Sequence, residues 1–413
     1  MRILLLTHYY DPETGPPQLR WSSLVREFVR AGHQVDVVAP PPHYPLGRLL
    51  DTYEGEGAGS TEQGRHGETV HRVRFRPTSG RIGSILWDQL TSAASSVLTV
   101  LRHRDLTPDV IVATAPALPT LMAGWVLARV LRRPLLLEVR DAWPDLLAVV
   151  DRWEGGEVRA HQHVKHAVAH VAARFITVMQ RSADYVVTTT STFAEVLQGR
   201  GVTNVDVVRN TAHPLPNYTD HQPRQPDGQL RIVYVGTVGR AQGLETAVRA
   251  LRIVQDAGID VAMRVIGTGA GKNRVQQTAE ALGVPVTVRG AQSRDQIHLH
   301  YRWADTFLIM LREWPALRMT VPSKLYEALH LGIHVSASVD GEAARIVTTT
   351  GAGFATPPGD AEALARQWIA LARQLPAEPD QPQMRAWVQE YAEESRVASD
   401  YLEILRALAA AHR

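Results

Sequence analysis

The sequence predicts an α/β protein made of two doubly wound, Rossmann-like domains in tandem. Three observations carry that prediction. At 413 residues, 45% of them hydrophobic, the chain exceeds what one domain needs and can fill two cores. Apolar segments of strand and helix period alternate along it, the pattern of right-handed βαβ units on a parallel sheet. The opening strand is also restated as Arg231-Ile232-Val233-Tyr234-Val235-Gly236 after a proline-rich stretch, as though the fold begins again there.

The first strand, Met1-Arg2-Ile3-Leu4-Leu5-Leu6, meets His8 and Asp11 too soon for a signal peptide and reads as buried. Trp21, Leu24, Val25 and Phe28 recur at i, i+3, i+4 and i+7 and predict an amphipathic helix stopping at Ala31-Gly32. Strands follow from Val35 to Ala39 and from Val70 to Phe75, separated by a loop from Pro40 to Gly67 long enough to be functional. A helix from Leu86 to Leu101, a strand from Val110 to Thr114, a helix from Leu121 to Leu131 and a strand from Leu135 to Val139 continue the alternation. The uncharged run from Val110 to Ala128 reaches membrane-spanning length. Pro116, Pro119 and its β-branched start divide it instead into strand, turn and buried helix. The first domain is placed at 1–212 and a linker, rich in Pro and polar residues, at 213–230. The second domain occupies 231–383, with a helix from Leu244 to Val254 and a strand from Val261 to Ile266. In two such halves the ends of the parallel strands face a cleft where ligands bind.

Composition and missing motifs remove several function classes. Lys plus Arg (44) against Asp plus Glu (42) leaves a net charge of +2, no electrostatic case for nucleic acid. With no cysteine there is no disulfide scaffold, thiol nucleophile or thiolate metal site, which suits a cytoplasmic protein. A dinucleotide fingerprint is absent, because His8 to Pro16 contains only Gly15. Gly267-Thr268-Gly269-Ala270-Gly271-Lys272 imitates a phosphate loop, but Ile266 and Asn273 stand where its first glycine and its magnesium-binding hydroxyl belong. No Asp-x-Asp pair exists, so no metal is expected at a diphosphate. His163, His166 and His170 have a spacing that could hold zinc. Beside Arg159, Lys165 and Arg174 they read as a cationic face for an anionic acceptor or a membrane surface.

The most informative stretch runs from Thr320 to Gly332. Ser323 reads as an N-cap and Gly332 as the stop of a helix. Lys324 then falls in the first turn, where its charge opposes the helix dipole by about 0.3–1 kcal/mol. A lysine placed against that rule, next to N–H groups without helical partners, makes a diphosphate site. Glu327, one turn on, has two readings: acceptor for a ribose diol, or simple complement to the dipole.

At this point the chain resembles the retaining family 4 glycosyltransferases of the GT-B fold over nearly all its length. The matching stretches are Asp11 to Gly15 with Arg20, Ala31-Gly32-His33-Gln34-Val35, Val207-Val208-Arg209-Asn210, and Gly236-Thr237-Val238-Gly239 with Gln242-Gly243-Leu244. Val265 to Gly269, Val288-Arg289-Gly290 and Pro322 to Gly332 complete the series. Three departures stand out. Met319 occupies the place of the family's first glutamate, and Thr237 and Gln242 the places of its donor-phosphate Arg and Lys. The family's first-domain histidine is replaced within Glu138 to Asp145. Catalytic roles are therefore not carried to Met319, Thr237 or Gln242. The departures match a subset that resembles transferases of cell-surface polysaccharide assembly, many using UDP-linked amino sugars.

Residues and resemblance together give a metal-independent, retaining transferase, cytoplasmic or peripheral at the inner face of the membrane. It would take a nucleotide sugar, UDP-linked and in one version an N-acetylhexosamine, to a hydroxyl acceptor, with no cofactor. Gly15, Gly236, Thr237, Arg240, Gly267, Gly269, Arg289, Ser323, Lys324, Leu325 and Glu327 are assigned to the donor. Arg140, Asp141 and Lys324 are assigned to catalysis, the first two facing sugar and acceptor. By resemblance a last helix, from Met384 to His412, returns to the first domain. The rivals are a nucleotide-sugar epimerase of the same fold and an inactive sugar-nucleotide binder.

Overall fold

A computed structural model of the chain describes residues 1–13, 15–44, 46–149, 162–213, 215, 218 and 221–412. They fall into two units. Apart from the undescribed positions, the first holds 1–148, 162–210 and 394–412, and the second holds 149 and 211–393.

The first unit is built on β1 (Arg2–Leu6), β2 (Gln34–Ala39), β3 (Thr61–Gln63), β4 (Thr69–Arg72), β5 (Val110–Thr114), β6 (Leu135–Glu138), β7 (Tyr185–Thr188) and β8 (Val205–Val207). They lie in the order β3-β4-β2-β1-β5-β6-β7-β8. All neighbours are parallel except β3 on β4, which pairs Thr61 with His71 in antiparallel register. The expected loop from Pro40 to Gly67 thus contains a strand. Its sequence Thr-Glu-Gln is polar because an edge strand has no apolar face to bury. The strand expected to reach Phe75 ends at Arg72, whose guanidinium turns inward to the Pro40 and Asp11 carbonyls at 3.2 and 3.0 Å.

Helices α1 (Pro16–Arg30), α2 (Ile82–Arg102), α3 (Leu118–Leu131), α4 (Gln162–Ser182) and α5 (Ser191–Gly199) connect the strands. Two prolines open α1, where their missing N–H groups cost nothing, and the expected stripe of Trp21, Leu24, Val25 and Phe28 is fully buried. Central β5 reads as a continuous apolar run because both its faces are covered.

The second unit carries β9 (Gln229–Val235), β10 (Asp260–Ile266), β11 (Val286–Arg289), β12 (Thr306–Met310), β13 (Val335–Ser338) and β14 (Gly353–Thr356) in a parallel sheet ordered β11-β10-β9-β12-β13-β14. Its helices are α6 (Glu245–Asp256), α7 (Lys272–Leu282), α8 (Arg294–Trp303), α9 (Ser323–Leu331), α10 (Glu342–Thr349), α11 (Ala361–Ala372) and α12 (Gln381–Tyr391). Fully buried Trp368 of α11 reaches Ser336 Oγ with its indole N–H at 3.1 Å.

The helix expected from Met384 to His412 is two helices. Ala392 ends the first one, its carbonyl leaving the helical ladder to accept the N–H of Ala212 at 2.9 Å. The last helix, α13 (Glu394–Ala411), belongs to the first unit, where Tyr401 packs edge-on against Trp21 with ring centroids 5.7 Å apart.

Two histidines of the second unit are buried as neutral rings. His221 Nδ1 lies 2.7 Å from the Tyr218 hydroxyl and His334 Nδ1 2.9 Å from Thr306 Oγ1. Burial lowers both from the usual 6.5 to about 4. Between those values the unfolded chain binds more protons than the folded one, so the stability of the neutral rings is full above about pH 6.5 and lost as pH falls toward 4. Chemical denaturation at stepped pH should show this decline. A doubled His221→Asn, His334→Asn variant should flatten it, and an unchanged slope would contradict the assignment.

Candidate functional site

In an open parallel sheet, ligands gather at the carboxyl ends of the strands where the winding changes direction. In the second unit that switch lies between β9 and β12. Most of the expected donor residues stand on this edge: Gly236 and Thr237 after β9, Gly267 and Gly269 after β10, Arg289 at the end of β11. Helix α9 crosses from β12 to β13, so its N-terminus is at the same edge. Ser323, Lys324 and the loop glycines are thus brought to one end of one sheet.

The loops on that edge are tied backbone to backbone. Gly236 N–H donates to the Ile266 carbonyl at 3.0 Å, Val238 N–H to Thr268 at 2.8 Å, and Gly267 N–H to Arg289 at 3.1 Å. Gly267, at φ +152°, is glycine because a Cβ there would lie 1.8 Å from the Gly236 carbonyl oxygen. Its first task is this close approach. Gln242 closes the first loop by accepting the Gly239 N–H at 3.0 Å. Arg312, just past β12, braces that loop from below, donating through Nε to the Arg240 carbonyl at 2.6 Å and lying 3.3 Å from Glu245. The Thr237, Arg240 and Arg289 side chains are exposed.

Helix α9 corrects the capping assignment. Its N-cap is Pro322, in extended conformation, and Ser323 is already helical. Gly332 stops the helix at φ +68° as expected. Leu325 is wholly buried and its N–H donates to the Pro322 carbonyl at 2.9 Å, so its side chain belongs to the core. The N–H groups of Ser323 and Lys324 have no carbonyl within the helix to reach. Lys324 Nζ lies 2.8 and 2.9 Å from the two carboxylate oxygens of Glu327, which also accepts the Tyr301 hydroxyl. The two residues given separate roles from the sequence are a pair. Glu327 is buried, while the Lys324 side chain keeps about a third of its surface, 32%, in solvent. Burial, reinforced by Glu327, pushes the Tyr301 phenol well above its ordinary range, so it stays a donor.

In the first unit, Gly15 is the N-cap of α1, and Arg140 and Asp141 follow β6. Arg140 turns inward, donating to the Ala115 carbonyl at 2.8 Å with Nε 3.6 Å from Glu138. Glu138 is fully buried and holds Arg20 Nε at 2.8 Å and the Thr114 hydroxyl at 2.6 Å. Arg20 continues to the Val208 carbonyl at 2.9 Å and to Arg209, tying α1 and β6 to the chain beyond β8. Burial lowers the Arg140 guanidinium and raises the Asp141 carboxyl, the latter opposed by Arg140.

A second cluster escaped the sequence reading. His8, past the end of β1, places Nε2 3.1 Å from Asp88 of α2, and His43, past β2, places its Nε2 3.5 Å from the same oxygen. All three are buried, and among the described residues they are the one group whose ligand atoms come close enough to hold a metal. Burial lowers His8. For His43 burial acts downward too, but its bonds to Asp88 and to the Pro41 carbonyl outweigh it and leave the ring raised. The two histidines and the Arg76 N–H hold Asp88 below the usual carboxylate range despite burial. An imidazolium–carboxylate pair flanked by a neutral histidine satisfies these charges. Of the expected His163, His166 and His170 face, His170 and Arg174 are exposed, and Arg159 and the side chains of His163, Lys165 and His166 lie outside the described residues.

Two family models match the chain in tandem, the glycosyl transferase 4-like domain over residues 17–211 and glycosyl transferases group 1 over residues 219–389. The chain is a family 4 glycosyltransferase of the GT-B fold. It is 24% identical over 353 residues, 80% of this glycosyltransferase and 82% of the relative, to WcaI of Escherichia coli (strain K12), named provisionally as a colanic acid biosynthesis glycosyl transferase. TuaC of Bacillus subtilis (strain 168), named provisionally for teichuronic acid biosynthesis, is 24% identical over 81% of this chain and 80% of its own. The fold matches sucrose-phosphate synthase from Thermosynechococcus elongatus with a TM-score of 0.72 and 17% identity, over 99% of each chain. It also matches Anabaena HepE, solved with UDP and glucose, with a TM-score of 0.65 and 16% identity over 98% of this chain and 99% of that one.

At the family's departures the glycosyltransferase uses its residues structurally. Gln242 closes a turn, and Met319 ends the short 3-10 helix Pro315–Met319 that leads into α9. The zipped loops are also testable. Gly267→Ala should lower stability by about 1–3 kcal/mol, the usual cost of backbone strain, read as a lower melting midpoint. An unchanged midpoint would mean that the loops part easily.

Proposed function

We propose that this glycosyltransferase moves a sugar, in one version of the family resemblance an N-acetylhexosamine, from a UDP-linked donor to a hydroxyl of a growing surface polysaccharide, with retention. The observation that carries the proposal is the start of α9, where Lys324 stands among N–H groups without helical partners at the switch-point edge of the second sheet. The names of the two relatives support a polysaccharide product, and the UDP held by the HepE neighbour supports the nucleotide.

In this reading Ser323, Lys324, Gly236, Thr237 and Arg240 take the diphosphate, and Gly267, Gly269 and Arg289 flank the base. Glu327 holds Lys324 in place and is within a turn of where a ribose would sit. As the bond from the anomeric carbon to the diphosphate breaks, the acceptor oxygen bonds to that carbon on the same face. The departing phosphate oxygen takes the acceptor's proton. Charge growing on the diphosphate is met by Lys324 and the helix end. Gly15 leaves room for the diphosphate, Asp141 orients the acceptor, and Arg140, turned inward, positions Asp141. No metal or cofactor enters this scheme, and the enzyme works in the cytoplasm or peripherally at the inner face of the membrane. Family membership does not favour the epimerase or the inactive binder.

Calorimetric titration with UDP, GDP and ADP tests the donor. UDP is expected to bind most tightly, and a preference for either purine diphosphate would overturn the assignment. EDTA should leave donor turnover largely intact. Loss of activity restored by a divalent ion would show that a metal serves the diphosphate after all.

A further inference from the structure

Helices with an apolar stripe normally turn it to the core. On the first unit, three adjacent helices turn one to solvent. Helices α2, α3 and α4 precede β5, β6 and β7, and each crosses to its strand in the same direction along the sheet. Right-handed crossovers therefore place all three in one layer on one face. Contacts knit that layer: Trp125 of α3 donates to Ser182 Oγ of α4 at 2.8 Å, and its ring meets Phe175 edge-on at 6.2 Å.

On α3, Met122, Val126 and Val130 recur at i, i+4 and i+8, all exposed, Val130 to 56%. On α4, Val171, Phe175 and Val178 are exposed at i, i+4 and i+7, Val171 at 70%. On α2, Leu86, Trp87 and Leu90 stand out near one end, Trp87 at 64%, and Leu98 and Leu101 near the other. An apolar surface shared by three helices exceeds the scattered exposure usual for a monomer.

The exposed charge on these three helices is of one sign. Across residues 74–104, 118–133 and 162–182 the one acidic residue is Asp88, and that side chain is buried against His8. The same segments carry Arg81 and Arg102 at the ends of α2, Arg129, Arg132 and Arg133 at the end of α3, and Arg174 and Arg181 on α4, all exposed. The whole chain is nearly neutral at +2, so this is a local asymmetry. Nucleic acid would match the arginines but not the leucines. A bilayer with anionic headgroups matches both, taking the apolar side chains into its acyl boundary and the arginines among its phosphates. Among the described residues no helix is long and apolar enough to cross a membrane, so the contact lies along the surface.

We propose that the α2–α3–α4 face docks the enzyme on an anionic phospholipid bilayer. The proposal deepens the reading above by implying a lipid-borne acceptor, but it is tested without activity. The full chain is sedimented with phosphatidylcholine vesicles and with vesicles also containing phosphatidylglycerol. A variant combining Trp87→Ser, Val130→Ser and Val171→Ser is run beside it, with its melting midpoint and UDP affinity as controls for folding. Strong binding to the phosphatidylglycerol vesicles, weak binding to phosphatidylcholine alone, and a drop of at least about tenfold in the variant are expected. No vesicle binding by the parent chain, or equal binding by the folded variant, would overturn the proposal. So would light scattering that shows a dimer in the parent chain and a monomer in the variant, since a second copy would then cover the face. If UDP fails to bind while the vesicle result holds, the donor assignment falls and the docking face stands.

Discussion

Glu138→Ala is expected to destabilise the first unit by about 3–5 kcal/mol, the cost of stripping one partner from a buried ionic network. Arg20 is almost wholly buried, and among the described residues its guanidinium has, apart from Glu138, backbone carbonyls alone as partners. Arg140 and the Thr114 hydroxyl face the same carboxylate. For a unit of this size the loss corresponds to roughly 6–20 °C in melting midpoint. Glu138→Gln, which keeps the shape and part of the hydrogen bonding, should lose less. A Glu138→Ala protein melting within a degree or two of the parent would mean that water takes the place of the carboxylate or that the arginines turn out to solvent.

Lys324→Ala is expected to weaken UDP binding by roughly tenfold to 150-fold, the equivalent of about 1.5–3 kcal/mol for a charge-assisted contact. Uridine should lose far less. The comparison is needed because Lys324 also neutralises buried Glu327, so its removal costs stability whatever it does for the donor. Equal losses for uridine and UDP would reduce Lys324 to a partner of Glu327. The companion Glu327→Gln separates that residue's two roles. A ribose contact predicts a loss shared by uridine and UDP, whereas positioning of Lys324 predicts a loss confined to UDP.

The strands and helices of the central sheets were legible because both faces are covered, and a strand such as Val110–Thr114 then announces itself as an unbroken apolar run. The polar edge strand Thr61–Gln63 was not, since its pairing depends on Thr69–Arg72 and not on a pattern of its own. The break between α12 and α13 carries no Gly or Pro and is set by a hydrogen bond from Ala212. The switch-point loops and α9 were readable from glycines and from a lysine placed against the helix dipole. That Lys324 pairs with Glu327 was implicit in their i, i+3 spacing. The His8–Asp88 bond joins residues 80 apart and the Arg20–Glu138 bond residues 118 apart. A faint signal existed for the first: Asp88 shares the buried side of α2 with Ser92 and Ser96, small polar residues where an apolar stripe would be expected.

The central claim is same-face transfer from a UDP-sugar, and it is tested most directly with α-linked donors and water in place of the acceptor. Proton NMR of the full chain with UDP-N-acetylglucosamine, UDP-glucose or UDP-galactose reads that reaction before the free sugar mutarotates. The expected result is release of UDP from at least one donor, with the new anomeric signal carrying the small coupling constant of the α sugar, and with the rate greatly reduced in Lys324→Ala. A β sugar as first product would mean attack from the opposite face by water activated on a separate base, and would contradict the account.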